Sequence, residues 1–406
     1  MASESGRKSN RTKWLRPRHQ VLTSIFAPCL RMYSILKCGV EIERFEEDGQ
    51  YLILFNHQTG YDQFFVAGSF RRPTYFVASE DLFSNGFVSR LLSWAIAPVA
   101  IKKGQLDISS IRNCLQIAHE GGSIAIAPEG NKTYSGRTEY MNPSIANFAK
   151  KLKLPVLLYR IEGGYGVLPR WSDVIRKGKM KAYVSEVISA DEVSELDSQT
   201  LFERIRSGLY AAENNAKERF LSDKKAEFLE RVAYVCPDCG FSAFESSGNE
   251  IKCTSCGKRI RYSDNTSLVG VDCDFPFGFV AEWYDYQQDF VNRTNLNEYC
   301  SAPVFEDVSD IYEVILLKKK NRIARSAKVR LYGNRVVLGE DCGTELLFDD
   351  ISGAAVLGRN KLNLYHKDRV YQFKGNKRFN ALKYVNFYYR YKNIKEGRSD
   401  DKFLGL

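Results

Sequence analysis

His57 and Asp62, at the two ends of His57-Gln58-Thr59-Gly60-Tyr61-Asp62, are the side chains of this 406-residue chain best suited to moving a proton. A carboxylate that accepts from one imidazole nitrogen fixes the tautomer and stabilises the imidazolium formed when the other nitrogen takes a proton. No serine or cysteine nucleophile adjoins the pair, so the chemistry it offers is removal of a proton from a hydroxyl. A second polar run, Ala127-Pro128-Glu129-Gly130-Asn131-Lys132-Thr133, brings a carboxylate, an ammonium and a glycine together. A lysine carries a point charge, and a glycine permits backbone conformations closed to other residues. A third group is Cys236-Pro237-Asp238-Cys239-Gly240 and Cys253-Thr254-Ser255-Cys256-Gly257, with 13 residues between Cys239 and Cys253.

Both polar runs follow short apolar ones. Tyr51–Phe55 and Ser123–Ala127 read as buried strands, and Asp62–Phe70 reads as a helix, so His57 sits at a strand-to-helix turn. A lone His-x4-Asp arises by chance, and a surface histidine beside a capping aspartate is its bland reading. Two strands of one sheet would bring both turns to one edge, where open α/β sheets bind ligands. Further strands are expected at 74–78, 154–161 and 180–187, and helices from Ile108 to Glu120, after an Asp107 cap, and from Pro143 to Leu152. Residues 191–234 read as one or two long amphipathic helices leading out of this unit.

The chain resembles the glycerolipid acyltransferase superfamily that includes the 1-acyl-glycerol-3-phosphate acyltransferases. Its Asn-His-x-Ser-x-x-Asp and Phe-Pro-Glu-Gly-Thr-Arg-Ser blocks correspond to Asn56–Asp62 and Ala127–Thr133, and looser blocks to Val99–Gly104 and Leu154–Leu158. The match spans about residues 20–230. The resemblance implies a direct acyl transfer from an acyl-CoA or acyl-carrier-protein thioester to a lysophospholipid hydroxyl, with His57 as base and Asp62 as its orienting acid. It also implies acceptor binding by Lys103, Glu129, Gly130, Asn131, Lys132 and Thr133. The chain has lysines at 103 (or 102) and 132 where the family has arginines, which replaces a bidentate fork by a point charge.

Cys236, Cys239, Cys253 and Cys256 have the spacing of a tetrahedral four-thiolate zinc ribbon. Four protein ligands leave no open position, so this zinc is expected to be structural, stapling a small ribbon.

With 44% hydrophobic residues the chain can build ordinary cores, and its length suits two or three domains. No run reaches the ~18–20 apolar residues of a membrane-spanning helix, and no signal peptide is evident. The N-terminus, however, places Arg7, Lys8, Arg11, Lys13, Arg16 and Arg18 before an amphipathic stretch interrupted at Pro28. Such a segment suits the surface of an anionic membrane. From Glu313 to Lys395, 19 Lys and Arg face 7 Asp and Glu, a surplus that by itself exceeds the chain's net +10. Lys318, Lys319 and Lys320 head that basic region, which after a polar linker at 293–310 reads as seven short strands and a final helix, an architecture similar to the pleckstrin-homology (PH) superfold.

The expected organisation is a basic membrane-contact segment (1–38), an α/β acyltransferase domain with a central mixed sheet (39–232), a zinc ribbon with an aromatic helix (233–295), and a C-terminal β-rich PH-like domain (296–406). The protein would lie on the cytoplasmic face of a membrane as a peripheral enzyme. The competing reading is a non-enzymatic basic zinc-ribbon protein that binds nucleic acid or anionic lipid. No base-reading motif supports the nucleic-acid arm.

Overall fold

The computed structural model describes residues 13–79, 82–83, 87–101, 108–213, 217–315, 319–339, 343–398 and 404. Lys102, Lys103, Asp107, Lys318 and the first 12 residues therefore lie outside the described residues.

The first part of the chain runs α1 (Pro17–Cys38), β1 (Val40–Ile42), β2 (Leu52–Phe55), α2 (Asp62–Ser69), β3 (Thr74–Ser79), α3 (Phe87–Ile96), β4 (Val99–Ile101), α4 (Ile108–His119), β5 (Ser123–Ile126), α5 (Ser144–Leu152), β6 (Val156–Glu162), α6 (Gly164–Val167), β7 (Met180–Ile188), α7 (Ala190–Glu195) and α8 (Ser198–Leu209). Its seven strands form one mixed sheet in the order β1-β7-β6-β2-β5-β3-β4, with β6 and β7 antiparallel and the other pairs parallel. β2 and β6 are central and covered on both faces, which is why they read as unbroken apolar runs. Leu52, Ile53 and Leu54 are fully buried, Leu52 and Leu54 in one apolar layer and Ile53 in the other. Leu54 pairs with Ile126 on β5 and Leu158 on β6, so the three strands deliver their following turns to one edge.

Two expectations change here. α1 runs unbroken through Pro28 for 22 residues, and is long and apolar enough to cross a membrane by length and composition. It nevertheless packs against α2, α3 and β1. Buried His19 meets the Tyr75 hydroxyl at 2.9 Å, and a Cβ on Gly68 would stand 3.1 Å from the Arg31 Cβ. A run that mixes serine, threonine and arginine with apolar residues still makes one long helix, because tertiary packing sustains it. Second, the helical pattern after residue 190 stops at Leu209. Ser189 and Asp197 cap the two helices α7 and α8, and the chain beyond forms isolated bridges Arg137–Ala212 and Lys177–Leu221 with Phe220 buried.

A small cysteine-bearing region follows: β8 (Val235–Cys236), β9 (Gly240–Phe241), β10 (Phe244–Ser247), β11 (Glu250–Cys253), β12 (Arg259–Tyr262), β13 (Leu268–Val271) and α9 (Val280–Arg293). β10–β13 form an antiparallel sheet. The C-terminal part is an antiparallel half-barrel of β14 (Phe305–Ile315), β15 (Lys319–Leu331), β16 (Arg335–Leu338), β17 (Thr344–Leu347), β18 (Ile351–Leu357), β19 (Lys361–His366) and β20 (Arg369–Gly375), closed by α10 (Leu382–Lys395). The strand order is β17-β16-β15-β14-β20-β19-β18. β14 starts inside the expected 293–310 linker, because alternate residues Phe305, Ser309 and Ile311 are buried.

One apolar core runs through all three parts, from Tyr134, Tyr165 and Trp171 through Tyr234 and Trp283 to Phe305 and Phe387. The Trp283 indole donates to the Val235 carbonyl at 2.9 Å, and the Tyr234 hydroxyl to Asn386 at 2.7 Å. The aromatic residues around α9 are thus packing residues.

Candidate active site and cysteine cluster

Asp62 is the first residue of α2 and is fully buried. Its carboxylate accepts from the Gln58 amide at 2.7 Å, the Thr59 amide at 3.0 Å and the Thr59 hydroxyl at 2.6 Å. The same Oδ2 lies 2.7 Å from His57 Nδ1. Several donors of this kind keep a buried carboxylate hydrogen-bonded and aimed. A proton on Nδ1 then donates to Asp62 and leaves Nε2 as the basic nitrogen. The His57 side chain retains 22% of its surface, so a ligand can reach it.

The loop that carries them is stitched to β6 and α6. Asn56 donates to the Ile161 carbonyl at 2.8 Å and accepts from its amide at 2.7 Å, while Gln58 accepts from the Tyr165 amide at 2.9 Å. Gly164 presses on this loop so closely that a Cβ there would stand 2.9 Å from Gln58, which admits only glycine.

The second turn meets the first directly. The Thr133 amide donates to the His57 carbonyl at 3.0 Å, and the His57 amide donates to Glu129 Oε1 at 2.8 Å. Glu129 Oε2 accepts from the Glu139 amide at 2.8 Å. Both oxygens of this buried carboxylate are thus used by backbone, which orders the turn. Burial pushes its carboxyl up to about 8, helped by the charges of Glu139 and Asp62 and opposed by the two amide donors. Thr133, also buried, donates to Glu139 and accepts from the Ser135 and Gly136 amides. Gly130 has φ +67°, with open space where a Cβ would be, so the turn needs its left-handed backbone and leaves room above it. Asn131 lies beside it, half-buried.

Lys132 points into the same place: a Cβ on Gly60 would be 3.8 Å from its Nζ. Burial, then the charges of Arg170 and Arg359, lower its ammonium to about 7, with Asp62 acting the other way. Arg170, 2% exposed, donates to the Lys132 carbonyl at 2.9 Å. The structure therefore gathers His57, Asp62, Glu129, Gly130, Asn131, Lys132 and Thr133 at one edge, while Lys103 is outside the described residues. Sequence reading missed Arg170 and Arg359. Their only sequence-level signal is indirect, a motif turn with lysine where a guanidinium is customary.

Over this region the chain is similar to a known family. Residues 38–161 match the acyltransferase family model. That stretch contains both motif turns. Residues 229–267 match a zinc-ribbon model described as DNA directed RNA polymerase, 7 kDa subunit. A solved structure of the 1-acyl-sn-glycerophosphate (LPA) acyltransferase PlsC from Thermotoga maritima matches with a TM-score of 0.40 and 21% identity, over 47% of this chain and 79% of that one. No curated protein matches.

Within the ribbon-like stretch, the Sγ atoms of Cys236, Cys239, Cys253 and Cys256 all lie within 4.8 Å of one another, Cys236 and Cys256 at 3.8 Å. Tetrahedral zinc with bonds of about 2.3 Å sets sulfurs about 3.8 Å apart, so the donor set fits that ion. Gly240 and Gly257, each directly after its second cysteine, have φ +72° and +78°, the left-handed backbone that closes each knuckle, and the Gly257 amide donates to the Cys253 carbonyl at 3.0 Å. Ser242 Oγ lies 3.1 Å from Cys253 Sγ and supports that ligand from outside.

Proposed function

We propose that this protein is an O-acyltransferase that moves a fatty acyl group from a thioester donor, acyl-CoA or acyl carrier protein, to the hydroxyl of a lysophospholipid, taking 1-acylglycerol-3-phosphate to phosphatidate. The observation that carries the reading is the His57–Asp62 pair held by two hydrogen bonds against the 129–133 turn, with the Lys132 ammonium opposite Gly60. His57 Nε2 takes the acceptor's hydroxyl proton as that oxygen bonds to the thioester carbonyl carbon. Asp62 steadies the imidazolium. The C–S bond then breaks, and the departing thiolate takes the proton back from His57. Lys132 and the Gly130–Asn131 backbone hold the acceptor phosphate, and Lys103 belongs to the same group by its place in the motif order. Glu129 and Thr133 fix the turn's shape, so their contribution to binding is positional.

Four cysteine ligands would make a bound zinc structural, a staple for the ribbon. We read the chain as segment 1–38, transferase 39–232, ribbon and aromatic helix 233–295, and a PH-like domain 296–406. Seven antiparallel strands closed by a helix support the last assignment. Exposed Val21, Ile25, Phe26, Met32 and Leu36 on α1, with Leu91 and Trp94 on the adjoining α3, support peripheral attachment to the cytoplasmic face of a membrane.

The test is an assay of purified full-length protein with lysophosphatidate and each thioester donor. Transfer with one donor, abolished in a folded His57→Ala protein, is the expected result. Absent transfer combined with tight, salt-sensitive RNA or DNA binding would replace this reading with the nucleic-acid one.

A further inference from the structure

We propose that Arg359, on the β18–β19 hairpin turn of the C-terminal half-barrel, binds the acceptor phosphate and completes the cationic side of the site from outside the acyltransferase-like region. This rests on the acyl-transfer reading above and adds to it a residue that lies beyond the transferase-like part of the chain.

The turn is clamped to the motif. One guanidinium, that of Arg170, donates to the Lys132 carbonyl at 2.9 Å, to the Val356 carbonyl at 3.0 Å and to the Gly358 carbonyl at 3.4 Å. Its position is fixed by stacking over the Tyr134 ring at 4.1 Å. Gly358 takes φ +62°, which turns the chain so that Arg359 follows at once beside the Lys132 turn.

Arg359 is also left with surplus charge. Its Nη1 lies 3.1 Å from Asp173 Oδ1, but that carboxylate already accepts from Arg231 at 3.1 and 2.8 Å. Two guanidinium groups share one carboxylate, so the cluster stays net positive. The Arg359 side chain is 35% exposed, within reach of an arriving anion. Its field acts on both motif loops, on Tyr61 in the first and Lys132 in the second. Asp173, shared with Arg231, offsets only part of the positive charge gathered in Arg170, Arg359 and Lys132, and a phosphomonoester relieves the rest. A guanidinium from a distant hairpin also restores the planar fork that Lys132 cannot provide.

The experiment uses full-length protein, one acyl thioester at fixed concentration, and two acceptors, lysophosphatidate and monoacylglycerol. Arg359→Gln should raise KM for lysophosphatidate about 10-fold or more with kcat within about 2-fold, leaving monoacylglycerol kinetics unchanged. Arg359→Lys should recover part of the loss. Calorimetric binding of inorganic phosphate to the His57→Ala protein should weaken by a similar factor when Arg359→Gln is added. An unchanged KM and unchanged phosphate affinity, with His57→Ala inactive, would overturn this inference alone. So would equal kcat losses for both acceptors together with a lowered thermal midpoint, matched by Asp173→Asn, since these mark a merely structural ion pair. Activity that survives His57→Ala would instead overturn the underlying acyl-transfer reading.

Discussion

Asp62 Oδ2 lies 2.7 Å from His57 Nδ1 and the same carboxylate accepts two backbone amides and a hydroxyl, so the imidazole is held by an acid that is itself held. Asp62→Asn presents an amide NH₂ to at least one of these donors and no longer stabilises an imidazolium. We expect kcat to fall about 10²–10⁴-fold, with KM for the acceptor changed far less. Steady-state kinetics on protein with a native circular-dichroism spectrum measures this, and a loss under 10-fold would remove His57 as the base.

Lys132, proposed above to hold the acceptor phosphate, also carries a stability cost. Its folded pKa of about 7 lies below the usual 10.5, so between those values the unfolded chain holds a proton that the folded one lacks, and stability rises with pH across that window. Lys132→Met removes the buried ammonium. We expect a thermal midpoint at pH 6 equal to or above wild type, together with a KM for lysophosphatidate raised about 10–100-fold. A drop in both midpoint and kcat would mean that the side chain is structural.

Glu213 gives the opposite slope. It is buried behind the first motif loop, accepts from the Gly166 amide at 3.1 Å through Oε2, and among the described residues has no hydrogen-bond partner for Oε1. Burial raises its carboxyl from 4.5 to about 7. The folded state therefore keeps a proton that the unfolded chain loses between these values, and stability falls as pH rises through that window. Glu213→Gln should match wild type near pH 5 and exceed it by about 1–3 kcal/mol at pH 8. Denaturant melts at both pH values measure this, and parallel wild-type and variant curves would refute it.

The four cysteines predict one zinc per chain. Elemental analysis of Cys253→Ser protein should show most of the metal lost. Because Cys236 and Cys253 belong to the core that also holds Trp171, Trp283 and Phe387, the variant should lose thermal stability cooperatively beyond the ribbon. Metal-free wild type with an unchanged melt would exclude a stapling role.

Membrane attachment is testable without truncation. Removing residues 1–38 would strip α1 from α2 and leave Tyr75 without its His19 partner, confounding stability with binding. Replacing exposed Phe26, Met32 and Leu36 together by serine leaves that inner face intact. Flotation with anionic vesicles should fall several-fold, and Lys319→Glu with Arg325→Glu, at two exposed positions of β15, should weaken it further at low salt. Undiminished flotation in both variants would sink the peripheral assignment.

The sequence alone determined what depends on short spacing. The Asn56–Asp62 and Ala127–Thr133 turns, their preceding strands, the two Cys-x-x-Cys-Gly knuckles and the seven C-terminal strands are all local patterns, because strand periodicity, turn glycines and ligand spacing act over a few residues. The seven strands and final helix expected after the linker are β14–β20 and α10. Tertiary structure decided what local pattern underdetermines. Parallel pairing of β2 with β5, between residues 72 apart, set the two turns against each other. Packing against α2 kept α1 continuous through Pro28, and burial of Phe220 favoured an irregular chain where charge periodicity suggested helix. Arg170 and Arg359 lie 38 and 227 residues beyond Lys132, and only folding brings them to it. Local spacing carries no information about such encounters, because the energy that fixes them comes from cores and ion pairs assembled after the elements themselves have formed.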